Sequence, residues 1–440
     1  MKNNQWYKPR NKLRLRARGE TRGISPARIK IVLACLMCLA LLSACWDSRE
    51  LEDNSFIILM GIDRADESSI ILTIAFPLTQ TGDGEKDGGE YSVMSVKAPT
   101  INEGLNLLGA KLSGPVSLFS VRTVVISEEL AADGQLNKVI SSWRDGQVRN
   151  TAAVLISSCK AADFIEAHLK NSPIEPLRRE ELLLEHSNKS SNYKAVQFLD
   201  LIESLKTDGG AAVAMYGGIQ AASDGKGKEE KEGEEKKEKT GYADIVAGVK
   251  NGYLPGEIPV ISDNGTQICG LAVFSDQKMA GALDTAETGV YAMLTGSKNK
   301  KSFVLPDPLD AGSVIVFSVL PSRGGTVKGR ICGGEAVFDI ILSLRCSLEF
   351  IQSGVDYTLE RNYDILTEYI RAECEKNIAD LIYKIQKVYD ADILELGERL
   401  SNNFLTAREF EQFSWEEKYR DAGINLHIKL DIEGDIGVVR

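Results

Sequence analysis

The chain has 440 residues with 52 Lys and Arg against 63 Asp and Glu, a formal net charge of −11. Ten of the basic and one of the acidic residues fall within residues 1–44, which leaves 42 against 62 beyond them, a net of −20. A surface so acidic is repelled by phosphate backbones, and no basic stripe with interleaved aromatics is present, so nucleic acid is excluded as a partner class.

The first thirty residues carry the basic cluster, with Glu20 as their one acid. Ile31 to Leu42 then run twelve residues without a charge, and Leu42, Ser43 and Ala44 lead into Cys45. A basic stretch, a short apolar core and small residues are the parts of an export signal over 1–44. Twelve residues span only about 18 Å as a helix, short of the roughly 30 Å hydrocarbon layer, which disfavours a permanent membrane span. A signal anchor with an incidental cysteine is the competing reading. The quartet Leu-Ser-Ala-Cys resembles the bacterial lipobox, which implies cleavage after Ala44 and a diacylglyceryl group on the Cys45 sulfur. Charge alone would not hold so acidic a body on an anionic bilayer, so the membrane address would rest on Cys45.

Beyond Cys45 the pattern alternates. Residues 54–64, 68–78, 91–98, 117–127 and 151–158 are rich in β-branched residues and are predicted strands. Ile101, Leu105, Leu108 and Leu112 recur at helical spacing, and a second helix is predicted from Glu128 to Trp143 despite Gly134. Residues 81–89 (TGDGEKDGG) suit a hairpin connection. Residues 160–206 are mostly helical in pattern. Between Lys226 and Lys239 Lys and Glu alternate with Gly and no apolar residue appears, so nothing there offsets the entropy of ordering. A solvated loop or linker over 211–242 is the expectation, with a long charged helix as the alternative.

Downstream, residues 267–283 give two strands joined at "SDQKM", and strands follow at 312–320 and 335–351. A helix from Glu360 to Lys387 presents Ile365, Ile370, Ile378, Ile382 and Ile385 on one face. A helix near 406–419 and a strand over 423–432 close the chain. The fold class is α+β with mixed sheets and flanking helices. About 396 residues after the leader exceed one ordinary core, so more than one domain is expected.

The chemistry sought is sparse. His168, His186 and His427 lie apart in sequence, and none belongs to an HExxH motif. No GxSxG elbow or phosphate-cradling GxxxxGK[ST] is present. Cys159, Cys269, Cys332, Cys346 and Cys374 are widely spaced and odd in number, which favours buried free thiols over a disulfide scaffold or a zinc knuckle. An enzyme is disfavoured, no metal or cofactor other than the Cys45 lipid is expected, and a triad assembled by the fold stays open.

The residues carry a family resemblance. Cys45-Trp46-Asp47, Arg49-Glu50-Leu51 and Gly61-Ile62-Asp63 are similar to the mature amino-terminal signature of the Ger(x)C spore-germination lipoproteins. Arg144, Asp145 and Arg149 in "WRDGQVRN" resemble its arginine-bearing segment. Gly270 opens a run (270–288) like the family's strand-turn-strand, and Tyr389, Asp392 and Gly397 resemble its C-terminal signature. Arg122 stands where members often have His, and Glu395 where Gly is usual.

The resemblance implies a non-catalytic C subunit of a germinant receptor, anchored on the outer face of the inner spore membrane beside a multi-pass A subunit and a permease-like B subunit. It further implies three consecutive α/β domains, placed near 46–210, 243–310 and 311–440. From the residues themselves the bland accounts are close backbone approach at Gly61 and Gly270, a strand-end cap by Asp63, a headgroup-level ring at Trp46, and a structural ion pair or partner contact for Arg144 and Arg149. Direct binding of a small molecule is left undecided. A solute-binding lipoprotein of a transport system and an anchored hydrolase are the readings from other classes.

Overall fold

The computed structural model describes residue 30 and residues 55–77, 91–112, 116–136, 148–170, 174–206, 210–220, 251–260, 265–322 and 325–433. The chain divides into units Met1–Asp53 and Asn54–Arg440. Of the first unit only Lys30 is described, so Cys45, its lead-in Leu42 to Ala44, and Trp46, Asp47, Arg49 and Glu50 lie outside the described residues, as do Arg144 and Asp145.

In the second unit the strands are β1 (Ser55–Phe56), β2 (Leu59–Arg64), β3 (Ile70–Pro77), β4 (Tyr91–Ala98), β5 (Val116–Ser117), β6 (Thr123–Ser127), β7 (Ala153–Ser157) and β8 (Ala211–Ile219). They continue with β9 (Thr266–Ser275), β10 (Lys278–Leu283), β11 (Lys301–Asp307), β12 (Asp310–Pro321), β13 (Thr326–Cys332), β14 (Glu335–Ile351) and β15 (Gly423–Glu433). The helices are α1 (Ile101–Leu112), α2 (Glu128–Ala132), α3 (Ala161–Leu169), α4 (Pro176–Ser187), α5 (Phe198–Lys206), α6 (Thr285–Leu294), α7 (Glu360–Tyr383), α8 (Leu396–Ser401), α9 (Ala407–Phe413) and α10 (Trp415–Tyr419).

Eight strands form the first sheet in the order β10-β9-β8-β7-β6-β2-β3-β4. Its centre, β2, β6, β7 and β8, is parallel, and antiparallel wings flank it on both sides. The central strands are near-continuous apolar runs because both faces are covered. Met60, Ile62, Val124, Ile126, Val154 and Ile156 share one cluster with Ile101, Leu105 and Leu108 of α1 and with Leu201 and Leu205 of α5. Leu59, Val125, Leu155 and Met215 form a second cluster with Phe164 and Ile165 of α3.

The second sheet runs β11-β12-β14-β13, with β15 parallel to β14. Ala336, Phe338, Ile340, Leu342, Leu344 and Cys346 are buried at every second position of β14, the period of a strand with one covered face. In the same apolar cluster lie Leu366, Ile370, Ile378, Leu381 and Ile382 of α7. That cluster is continuous with the larger one of the first sheet.

Hydrogen bonding crosses the boundaries expected for the second and third regions. β9 and β10 pair into the first sheet through β8, whereas β11 opens the second, so the segment 243–310 is shared between the two. The linker expected over 211–242 is corrected for 211–219, which form the buried strand β8. Ala211, Ala212, Ala214, Gly217 and Gly218 hide it, because Ala and Gly have low strand propensity, and pairing on both edges overrides that preference. The Lys/Glu-rich run lies outside the described residues.

Smaller differences have local causes. The helix predicted from Glu128 forms over Glu128–Ala132 and is followed by Gly134 at φ 74°; residues 137–147 are not described. The helix predicted near 406–419 is two helices, broken where Ser414 adopts φ 51°. The end of α7 widens into a π turn over Lys384–Val388. All five described cysteines are free; Cys269, Cys346 and Cys374 are buried, but Cys332 is exposed where β13 turns into β14 at Gly333-Gly334.

Candidate functional site

The amino-terminal signature residues within the described region meet at the end of β2. Helix α3 begins at Ala161 without a side-chain cap from its own flank, as Lys160 cannot accept. Asp63, 2% exposed, supplies the cap instead: its Oδ1 accepts from Ala161 N at 2.7 Å and its Oδ2 from Ala162 N at 3.0 Å. Burial pushes the Asp63 carboxyl above its usual range, against the pull of those two N–H groups. Gly61 lets α3 approach, since a Cβ there would come within 2.8 Å of Ile165 Cδ1. Arg64 turns to α2, 3.4 Å from Asp133. The expected strand-end cap is thus a helix cap supplied across the fold.

The C-terminal signature repeats the device locally. Asp392 accepts from Leu396 N at 2.9 Å and Gly397 N at 2.7 Å, and the Trp415 indole donates to it at 3.1 Å. Burial raises this carboxyl too, against the pull of the same donors. A Cβ on Gly397 would lie 2.3 Å from Trp415 Nε1, so only glycine leaves room for the ring. Glu395 holds φ 57°, the left-handed region that glycine enters freely.

The run 270–288 joins the two sheets. Gly270 has φ 81°, and a Cβ there would meet Leu283 O at 2.4 Å. Asp284 caps α6 through Ala286 N and Glu287 N while Glu287 returns to Asp284 N, a reciprocal capping box. Lys384 binds Glu287 at 2.7 Å, and Tyr389 OH donates to Ala282 O at 2.9 Å, fastening the end of α7 to β10.

Three clefts adjoin along this junction. One of about 730 Å³ is bordered by Asp392, Gly397 and Trp415 and by Glu395, Glu398, Glu411, Glu416 and Glu417. It shares Ser204, Ala211 and Glu395 with a cleft of about 220 Å³, which in turn shares Lys194, Ala195 and Tyr291 with a third of about 330 Å³. The C-terminal signature therefore borders open space, whereas Gly61, Ile62 and Asp63 of the amino-terminal one pack inside the body. Trp415, Lys194 and Tyr291 carried no sequence signal; the indole is recognisable only beside Gly397.

The histidines are placed apart. His168 is buried, its Nε2 2.9 Å from Glu180 Oε1 and its Nδ1 3.2 Å from Thr266 Oγ1. Burial acts to raise the Glu180 carboxyl, but the hydrogen bond and charge of His168, with Thr123 and Arg179, hold it below the usual range. His186 lies by Tyr193, and His427 is exposed 3.8 Å from Asp339. None of the three borders these clefts. Among the described residues no group of three or more His, Cys, Asp or Glu is arranged to hold a metal. The Arg149 guanidinium lies 4.3 Å from the centroid of the exposed Phe119 ring, a cation–π contact.

The chain matches two consecutive families: residues 47–218 that of the spore germination protein N-terminal domain, and residues 269–435 that of the spore germination B3/GerAC-like C-terminal domain. It is 23% identical to YfkR of Bacillus subtilis (strain 168) over 414 residues, 92% of this chain and 96% of that one. Spore germination protein B3 of the same organism is 21% identical over 406 residues, again 92% and 96% of the two chains. Spore germination protein KC is 30% identical over 189 residues, 40% of this chain and 46% of its own. The crystal structure of the GerBC protein superimposes with a TM-score of 0.50 at 14% identity, covering 85% of this chain and 97% of that one, and so shares the fold. With both halves matched in order, the chain belongs to the Ger(x)C family of spore germination proteins.

Proposed function

We propose that this protein is the non-catalytic, lipid-anchored C subunit of a nutrient germinant receptor. In this reading signal peptidase cuts after Ala44, the Cys45 thioether carries a diacylglyceryl group, and the body stands on the outer face of the inner spore membrane. There it docks on multi-pass A and B subunits and permits their response to nutrients. The observation that supports it is the order of the chain: a lipobox-like Leu-Ser-Ala-Cys, its cysteine two residues before a family match that continues, in sequence, into the family's C-terminal half. No described helix is long and apolar enough to cross a membrane. Each buried methylene of an acyl chain contributes about 0.8 kcal/mol, and two chains suffice for stable anchoring.

The test is Cys45→Ala in sporulating cells. The variant should leave the inner-membrane fraction, cross-links to the A and B subunits should disappear, and the nutrient response should fall at least tenfold. Full membrane retention with an undiminished response would overturn the proposal.

A further inference from the structure

Strand β15 is left half-paired by the topology. β12 and β13 take successive stretches of one edge of β14, so β15 holds the other edge alone, parallel to it from Gly423 to Glu433. Its own far edge pairs with no strand among the described residues. A long open edge presents a row of backbone N–H and C=O groups to any strand that can reach it.

The other edge strands of the same sheet are covered by asparagines. Asn251 Nδ2 donates to Val304 O of β11 at 2.8 Å and its Oδ1 accepts from Val304 N at 3.0 Å, the two bonds a neighbouring strand would make. Asn403 Nδ2 donates to Gly329 O of β13 at 2.8 Å. Among the described residues no side chain bonds the backbone of β15 in this way.

The side chains along β15 select what fits the edge. Ile424, Leu426, Ile428, Leu430 and Ile432 face the apolar cluster, while Asn425, His427, Lys429 and Asp431 are exposed on the other side. Lys429 and Asp431 are 73% and 54% exposed and 3.8 Å apart. When two copies of β15 lie antiparallel, apolar residues stay on the covered face only in registers centred on a residue, since a slip of one position turns them to water. Centring on Lys429 or on Asp431 sets like charges face to face, and centring on Ile428 sets Lys429 against His427, all of them unfavourable or without gain. Centring on Leu430 sets Lys429 opposite Asp431 of the second copy twice over, with Ile428 opposite Ile432 and Leu430 opposite itself. The strand is thus complementary to itself in one register.

We infer that the free edge of β15 is a self-association surface, on which a second copy of this chain adds its own β15 antiparallel about Leu430. The product is a two-fold dimer with one sheet running through both bodies. The edge stands apart from the acyl anchor, so a Cys45→Ala chain should pair equally well, and the two proposals fail separately.

Sedimentation velocity of the full chain in detergent should show a dimer with Kd below about 50 μM. Lys429→Asp, at an exposed position, should weaken it at least about tenfold with the melting temperature unchanged. Combining Lys429→Asp with Asp431→Lys restores opposite charges across the edge and should recover most of that loss. In a Cys332→Ser background, which removes the exposed thiol, Lys429→Cys chains should form disulfides with Asp431→Cys chains, directly opposite at about 5 Å, much faster than with one another, about 7 to 8 Å apart on the diagonal. The inference is overturned by a chain that stays monomeric to about 200 μM, by a dimer indifferent to Lys429→Asp, by a charge-swapped chain that pairs no better than the single variant, or by position 429 cross-linking to itself as fast as to position 431. A monomer whose position 429 instead cross-links to a different subunit in spore membranes would give the edge to that subunit and overturn it equally.

Discussion

Asp63 and Asp392 perform one task at very different range. Each is a carboxylate that caps a helix whose own flanking residue cannot, beside a glycine that lets a bulky group approach. Asp63 reaches a helix that starts 98 residues later and so ties β2 to α3. Asp392 caps a helix four residues on, and its third donor, Trp415, brings in α10. The first device is sealed in the body; the second borders a cleft. Family motifs that look equivalent in sequence thus secure the tertiary arrangement in one half and shape a surface in the other.

Removing the carboxylates separates the two most. Asp63→Ala leaves two N–H groups without a partner where water is excluded and should cost about 3 kcal/mol, read from the urea midpoint. Asp392→Ala orphans three donors beside an open cleft that water can enter, and about 2 kcal/mol is expected. Equal losses would break the comparison. Burial raises both carboxyls, so just above about pH 4 the folded chain keeps protons that the unfolded chain has released. The contribution of both groups to stability therefore falls as pH rises through that window, and Asp63→Asn, which does not titrate there, should flatten part of the slope.

Filling the glycines reverses the ranking. Gly397→Ala drives a methyl into the indole of Trp415, a rigid ring, and should cost about 2 to 3 kcal/mol with a shift in tryptophan fluorescence. Gly61→Ala meets the far end of the flexible Ile165 side chain and should cost only about 1 kcal/mol. The smallest effect sharpens the C-terminal half alone. Glu395→Gly relieves a left-handed residue and should stabilise by about 0.5 to 1 kcal/mol, the one substitution here expected to raise the midpoint.

Where periodicity is strong, the elements were legible. β14 alternates from Glu335 to Cys346, and α7 follows its Ile spacing almost to the predicted end. β8 was not legible, and neither were β11 and β13. Pro306 interrupts β11, and β13 is largely exposed and has no apolar face to announce it. The cap by Asp392 could be traced to a short sequence window, but nothing local to "GIDR" indicates that Asp63 serves a helix at Ala161. The cleft between the end of α4 and α6 was equally hidden, since its two walls, around Lys194 and around Thr288, come from segments about a hundred residues apart.

By itself the sequence determined the acidic body, the lipobox-like lead into Cys45, the strongly periodic strands and helices, and the family signatures, all properties of neighbouring residues or of composition. Only the tertiary structure decided that β9 and β10 return to the first sheet, that an alanine- and glycine-rich stretch becomes a central strand, and that two lysines and a buried threonine border one cleft. The physical reason is that pairing and burial between distant segments outweigh local preference, and those energies exist only once the chain has folded back on itself.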